Sequence, residues 1–516
     1  MSELSKMRRD IFMCVPSLAL GEILGITSSI SYAAEMDSTE RLQRIIDKNK
    51  NVTLEEGDYY IGGTLMIPDG GSLIGKLNCR LIKTSPVEIP MIQAKSVNDI
   101  VLKGFSLLRK DFPERIVVCS LGKDNKFFVN VSFPWKYPAL RIYADSISTG
   151  KVALQNEDFK VEISSNELRV AVTNRNLQSL GRKFYVSAPT ELSAFIALED
   201  CKRVKIQSLT CNKGAIAYIG RERIVAELEI TDCKVIDGQI RVLGPFNNFY
   251  PLMQYAEEVI DSYGPSSIRI CRNTVIGKAN SIARRPLAFS ERVHGIIVSG
   301  YAQYVDVREN IVSGALGDGI SMPSVSDAIV QGNTFMGNAL SGIGPENGTV
   351  RRSERLKIYN NIVEGNWYDG LDLNFANPAK IKSEQLIDDG RGAVIDAIIS
   401  GNKFHNNGTQ KKGINGGCGI FARYAKKAEI TENICIANNV GGIKAVLCSD
   451  LLIKGNELKD NASSTKNENG PQIIIQGGTK ISIRDNIFDE KSKEKVKYES
   501  WVGQSRDNEK LEVPSE

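Results

Sequence analysis

The sequence predicts an all-β chain wound as a right-handed, single-stranded parallel β-helix, with an N-terminal capping helix and an inserted β subdomain. Three observations predict it. A unit of short alternating strands recurs from about residue 200. An asparagine holds the same place in nearly every copy, and a small or turn-forming residue closes the unit. The chain has 516 residues, too many for one ordinary compact core, so it is either several domains or a repeat.

The copies include SIRICRNTVIG, VDVRENIVSG, AIVQGNTFMG, LKIYNNIVEG, IISGNKFHNN, AEITENICIA, LLIKGNELKD and ISIRDNIFDE. Their shared asparagines are Asn273, Asn310, Asn333, Asn361, Asn402, Asn433, Asn456 and Asn486. Successive spacings are 37, 23, 28, 41, 31, 23 and 30 residues. A minimum near 23 with variable excess is the pattern of coils that carry insertions at fixed corners. Such strands are too short to bury a face alone. Stacked about 4.8 Å apart, they share one apolar interior and satisfy each other's backbone. An inward asparagine at a corner bonds the copies above and below it, which explains Asn between Val and Ile. Cys233 takes that place in ELEITDCKVIDG and interrupts the row. Glycine at the next corner permits φ > 0.

Residues 34–107 read as the cap and first coils. Within them 37–48 read as an amphipathic helix, with Asp37 as cap and Leu42, Ile45 and Ile46 on one apolar face. Residues 108–195 drop the coil pattern for longer period-two runs such as FFVNVSF and ELRVAV, and read as the inserted subdomain. Coils then run over 196–490, and 491–516 read as a polar tail.

Residues 1–33 read as an export leader. Lys6, Arg8 and Arg9 precede an apolar run from Ile11 to Ile30, and Ser31-Tyr32-Ala33 supplies small residues before a cleavage point. Arg8-Arg9 resembles a twin-arginine signal, which implies a secreted or periplasmic bacterial protein. Glu22 interrupts the apolar run, which argues against a stable membrane span.

Net charge is +4, with no concentrated basic face to mark a nucleic-acid binder. Two histidines make a His-ligated transition-metal site a poor candidate, so neither metal nor cofactor is expected. Ten cysteines occur without a CxxC pair, and read as small buried thiols.

The chemistry concentrates on three coils. Eight residues past the corner asparagine stand Asp318, Ser341, Asp369 and, further on, Gly441. Gly319, Gly342, Gly370 and Gly442 follow, then the apolar Ile320, Ile343, Leu371 and Ile443. With that last column inward, alternation turns Asp372 outward, and likewise Glu346 and Asn374 two residues beyond its column. Asp318, Glu346, Asp369 and Asp372 are therefore expected on one face. Asp318 and Asp369, two coils apart, would have backbones ~9–10 Å apart, near the roughly 6.5–9.5 Å between carboxyls of an inverting glycosidase. Clustered like charges raise one pKa and supply a general acid. Asp before Gly is also ordinary turn chemistry, so each position has a structural reading beside the catalytic one. Trp367 and Tyr368 are candidates to stack on sugar rings, or to pack the corner. Arg423 and Lys444, on later coils, are candidates to bind anionic sugar, or to form a solvated strand face. His294 and His405 show no partner spacing and read as structural.

The asparagine-rich coils, the capping helix and the opening EEGDYYIGGTLMIPDGGSLIG resemble the pectin-lyase-like superfamily over roughly residues 37–107 and 196–490. That fold hosts hydrolases, lyases, epimerases, phage tailspikes and adhesins, so the resemblance implies fold and not activity. The site pattern resembles that of phage tailspike endoglycosidases, with a glutamate on one coil and Asp-x-x-Asp on the next. Carried over, it implies catalytic roles for Glu346, Asp369 and Asp372, a polysaccharide substrate and, by analogy, a homotrimer. WYDGLDL is similar to the Asn-Thr-Asp-Gly-x-Asp strand of polygalacturonases, with Trp-Tyr for Asn-Thr and no Gly-His-Gly motif. Three readings follow: an endo-acting glycoside hydrolase; a polysaccharide lyase, in which carboxylates hold Ca2+ and Arg423 or Lys444 is the base; and a non-catalytic binding β-helix or adhesin.

Overall fold

A computed structural model describes residues 37–84, 90–109, 194–220, 225–244, 264–281, 293–344, 353–373, 394–409, 416–462, 470–492 and 495–499, together with six strands between 116 and 187. The coils build three parallel sheets, here numbered by first appearance. Sheet one begins with Asn51–Leu54, sheet two with Gly57–Ile61 and sheet three with Leu65–Met66. One coil shows the path: Gln303–Arg308 in sheet one, Ile311–Ser313 in sheet two, Ile320–Ser321 in sheet three. Ser326–Gln331 then returns to sheet one, in parallel register on Gln303–Arg308.

Inside, like residues stack on like. Ile206, Ile230, Ile270, Val307, Val330 and Ile358 form one fully buried column through sheet one. β-Branched side chains suit this pleated stack, and each buried one contributes about 1.5–3 kcal/mol. The repeated polar position is the ladder read in the sequence. Asn310 Oδ1 accepts from the Asn273 backbone N–H at 2.9 Å and from its Nδ2 at 3.0 Å. Asn310 Nδ2 donates to Ile270 O at 2.8 Å and to Asn333 Oδ1 at 2.9 Å. The same bonds carry the row to Asn486. Cys233 stands at its head, its N–H donating to Asn273 Oδ1 at 2.9 Å.

A second ladder escaped the sequence reading. Asn338, Asn366, Asn407, Asn438 and Asn461 bond in the same fashion, and Asn461 Nδ2 donates to Gln472 Oε1 at 2.7 Å. Each asparagine lies five residues beyond a member of the first row, an N-x4-N repeat visible in the chain. This ladder explains the glycine column. A Cβ on Gly370 would lie 2.5 Å from Gly419 O, 2.6 Å from Phe404 Cδ1 and 2.9 Å from Asn407 Nδ2. Gly319 and Gly342 meet Asn338 and Asn366 alike. The requirement at this column is space. Gly370→Ala is expected to cost about 3 kcal/mol, the upper end of overpacking, because one obstacle is backbone. Thermal unfolding of the purified variant checks it, and an unchanged midpoint would show that the neighbours yield.

The α-helix Thr39–Asn49 buries Leu42 and Ile46 against the first coils, while Ile45 is 38% exposed and leaves the expected face. Asp37 Oδ1 accepts the Thr39 N–H at 2.8 Å and the Gly62 N–H at 3.1 Å, tying helix to coil. Between Arg109 and Ala194, where the coil strands pause, six strands pair antiparallel as two three-stranded sheets. The polar tail expected from 491 is corrected in part. Val496–Glu499 adds a strand to sheet three on Ile473–Gln476, because Val496 continues the apolar column. Eight described cysteines are free and buried, and burial raises their thiols, to about 11 for Cys79 and about 12 for Cys233. Among the described residues, no helix is long and apolar enough to cross a membrane.

Candidate functional site

Sheet three carries the expected columns. Ile320 pairs with Ile343, Ile343 with Leu371, Leu371 with Ile420 and Ile420 with Ile443, all fully buried. The next position therefore faces outward, where Asp372 pairs with Phe421 and Phe421 with Lys444. Asp372 is half-buried between the inward Leu371 and Leu373. Lys444 Nζ sits 5.8 Å from the centroid of the Phe421 ring, a cation on an aromatic face. Arg423 lies two residues past Phe421 on the same side, its guanidinium carbon 5.3 Å from the Tyr424 ring centroid.

Asp318 and Asp369 stand at the corner before the strand, and there the structure departs from the expected open face. They are 1% and 3% exposed. Asp318 Oδ1 accepts the Ser341 N–H of the next coil at 2.9 Å. Asp369 Oδ1 accepts the Gly417 and Cys418 N–H groups at 2.8 and 2.7 Å. At this corner the next coil's N–H groups point at the preceding carboxylate, and the side chain takes the place of a ladder carbonyl. His294, whose sequence spacing names no partner, lies against Asp318. Its Nδ1 is 3.1 Å from Asp318 Oδ2 and accepts the Asp318 N–H at 3.0 Å. The signal was the coil length, since His294 precedes Asp318 by 24 residues. His405 Nδ1 lies 3.7 Å from Glu364 Oε1 across one exposed rung.

Burial holds Asp369 protonated to about pH 6, against the backbone donors of Gly417 and Cys418 and the charge of Lys444. The Cys418 thiol is pushed well up by burial and then by Asp369. Lys444 lowers it and Asp372 raises it. The strand Cys418–Arg423 links these groups: the Cys418 N–H donates to Asp369, and Phe421 lies between Asp372 and Lys444 on the outer face.

The remaining expected residues divide. Trp367 is corrected: it is 2% exposed and fills the corner with Val293, Leu316 and Ala339, because that pocket is apolar. Tyr368 packs half-buried on the same cluster. Glu346 and Asn374 lie outside the described residues. Of the expected set, Asp369, Asp372, Arg423 and Lys444 lie on or just before three successive strands of sheet three, Leu371–Leu373, Cys418–Arg423 and Gly441–Val446.

Three stacked parallel sheets tied by asparagine ladders define a parallel β-helix protein. The chain belongs to the right-handed β-helix family, whose model, described as a right handed beta helix region, matches residues 247–387 and 391–508, about half of the chain. A search of curated proteins returns no match. Among solved structures, the Streptococcus pneumoniae surface protein and adhesin PfbA is 12% identical over 90% of this chain and 96% of that chain, with a TM-score of 0.39. The Dettilon tailspike protein is 13% identical over 88% of this chain and 65% of that one, at 0.39. The A-module of the Azotobacter vinelandii mannuronan C-5 epimerase AlgE4 is 10% identical over 91% and 96%, at 0.32.

Proposed function

We propose that the chain is an exported, polysaccharide-cleaving enzyme, an endo-acting glycoside hydrolase working on the outer face of sheet three. The strand Cys418–Arg423, which bonds Asp369 and sets Phe421 between Asp372 and Lys444 on one outer face, supports this reading. Asp369 holds its proton to about pH 6, in the range a general acid needs. Asp372, half-buried on the outer face, is the partner that would activate water or stabilise the developing cation. Lys444 offers a contact to a sugar hydroxyl or carboxylate.

Asp372→Asn is expected to abolish cleavage, by about 1,000-fold or more, with the fold intact. New reducing ends released from a panel of bacterial and plant polysaccharides are the measurement. Asp369→Asn, which keeps an acceptor oxygen for Gly417 and Cys418, is expected to do the same. Full activity in both variants rejects the assignment. One observation favours a second reading. Lys444 shares the outer face of sheet three with Asp372, one strand removed across Phe421, as a lyase base facing a uronate would. A lyase leaves a new C=C bond in its product, read by ultraviolet absorbance, and a hydrolase does not.

A further inference from the structure

A groove of about 660 Å3 lies on the outer face of sheet one, a different sheet from Asp372 and Lys444. Its floor includes the strands Lys202–Gln207, Val225–Thr231, Ser266–Cys271 and Gln303–Arg308. Register places Lys205 beside Glu229, Glu229 beside Arg269, and Arg269 beside Asp306. The column thus alternates in sign, one charge per coil. Among the described residues, the side chains of Lys205, Glu229 and Arg269 have no hydrogen-bond or ion-pair partner, so their capacity faces the groove unused.

Tyr304 stands beside this column, 63% exposed, at φ 51°. Each coil has such a left-handed residue here: Arg203, Ser267, Asp327 and Asp450 are others, and all are polar. A bulky ring in that conformation is uncommon and strained. An aromatic held in the open, against the habit of its own column, points to a ligand.

Charge selects the ligand class. The alternating signs nearly cancel, so a polyanion would meet Glu229 and Asp306, and a polycation Lys205 and Arg269. A neutral polyol escapes both conflicts, because each hydroxyl donates to carboxylates and accepts from cations. The C–H face of a sugar ring has an apolar partner in Tyr304. A peptide strand finds no open backbone edge on a sheet face. We infer that this groove binds a neutral oligosaccharide, running along the helix axis across Lys205, Glu229, Arg269 and Asp306 with one ring on Tyr304. The inference does not rest on the catalytic reading of sheet three.

Isothermal titration of the full chain with neutral gluco-, manno-, xylo- and galacto-hexasaccharides, and with a galacturonate hexamer, tests it. At least one neutral hexasaccharide is expected to bind, with little dependence on salt. Tyr304→Ala should weaken that binding about tenfold, the scale of one lost stacking contact. Glu229→Gln and Arg269→Gln should each weaken it several-fold. Asp372→Asn should leave it unchanged, which separates this groove from the proposed cleavage site. The inference is overturned if no neutral hexasaccharide binds in a Tyr304-dependent way, or if the galacturonate hexamer is the ligand that Tyr304→Ala releases.

Discussion

Asn361→Ala is expected to remove about 4 kcal/mol or more of stability. Asn361 is fully buried and makes four side-chain hydrogen bonds with its neighbours above and below. Its Oδ1 accepts the Asn333 N–H and Nδ2, both at 2.9 Å. Its Nδ2 donates to Val330 O and Asn402 Oδ1, both at 2.9 Å. Alanine leaves all four partner groups facing a dry interior, each unmade bond costing about 1–3 kcal/mol, partly recovered as the stack relaxes. Asn486 is the internal control. It accepts from Asn456 and donates to Ile453 O, but is half-buried and, among the described residues, has no further asparagine rung. Water replaces what it loses, so Asn486→Ala should cost about 1 kcal/mol. Urea titration of both variants decides the matter, and equal midpoint shifts would mean that the ladder adds nothing beyond ordinary burial.

The first ladder was legible because it breaks a local rule. A polar residue at a column otherwise filled by Val and Ile needs partners, and at one-coil spacing its own copies supply them. The second ladder was written just as regularly, five residues on, yet Asn338 and Asn366 follow Gly337 and Gly365 and so read as turn chemistry. Which way a corner side chain points depends on the coil beneath it, and local alternation carries no such information. The same limit governs the site. Asp372 could be placed outward, because strand alternation is strict. Asp318 and Asp369 stand one step before the strand, where the next coil's N–H groups decide their direction. For Asp369 those groups belong to Gly417 and Cys418, 48 and 49 residues further along. Counting eight from Asn402 ends at Gln410, short of Cys418, so the count passed from Asp369 to Gly441 and skipped its true neighbour.

That neighbour gives Asp369→Asn a pH-dependent signature. The carboxyl titrates near pH 6 in the folded chain, chiefly through burial, and near 3.8 when unfolded. Below about pH 4 both states hold the proton, and the group is neutral to stability. Between those values the unfolded chain ionises while the folded chain does not, so stability falls as pH rises. Above pH 6 the cost is fully present, on the order of 2–3 kcal/mol at about 1.4 kcal/mol per pKa unit. Asparagine resembles the protonated acid: it keeps an acceptor for Gly417 and Cys418 and carries no charge. Asp369→Asn should therefore be more stable than the parent at pH 8, with the advantage shrinking through pH 6 and gone near pH 4. In the parent, cleavage by Asp369 as proton donor should fade over the same alkaline limb. Urea midpoints at pH 4, 6 and 8 read the first effect and initial rates the second. A stability difference that stays constant across that range would show that Asp369 is ionised throughout, and would remove it from the role of acid.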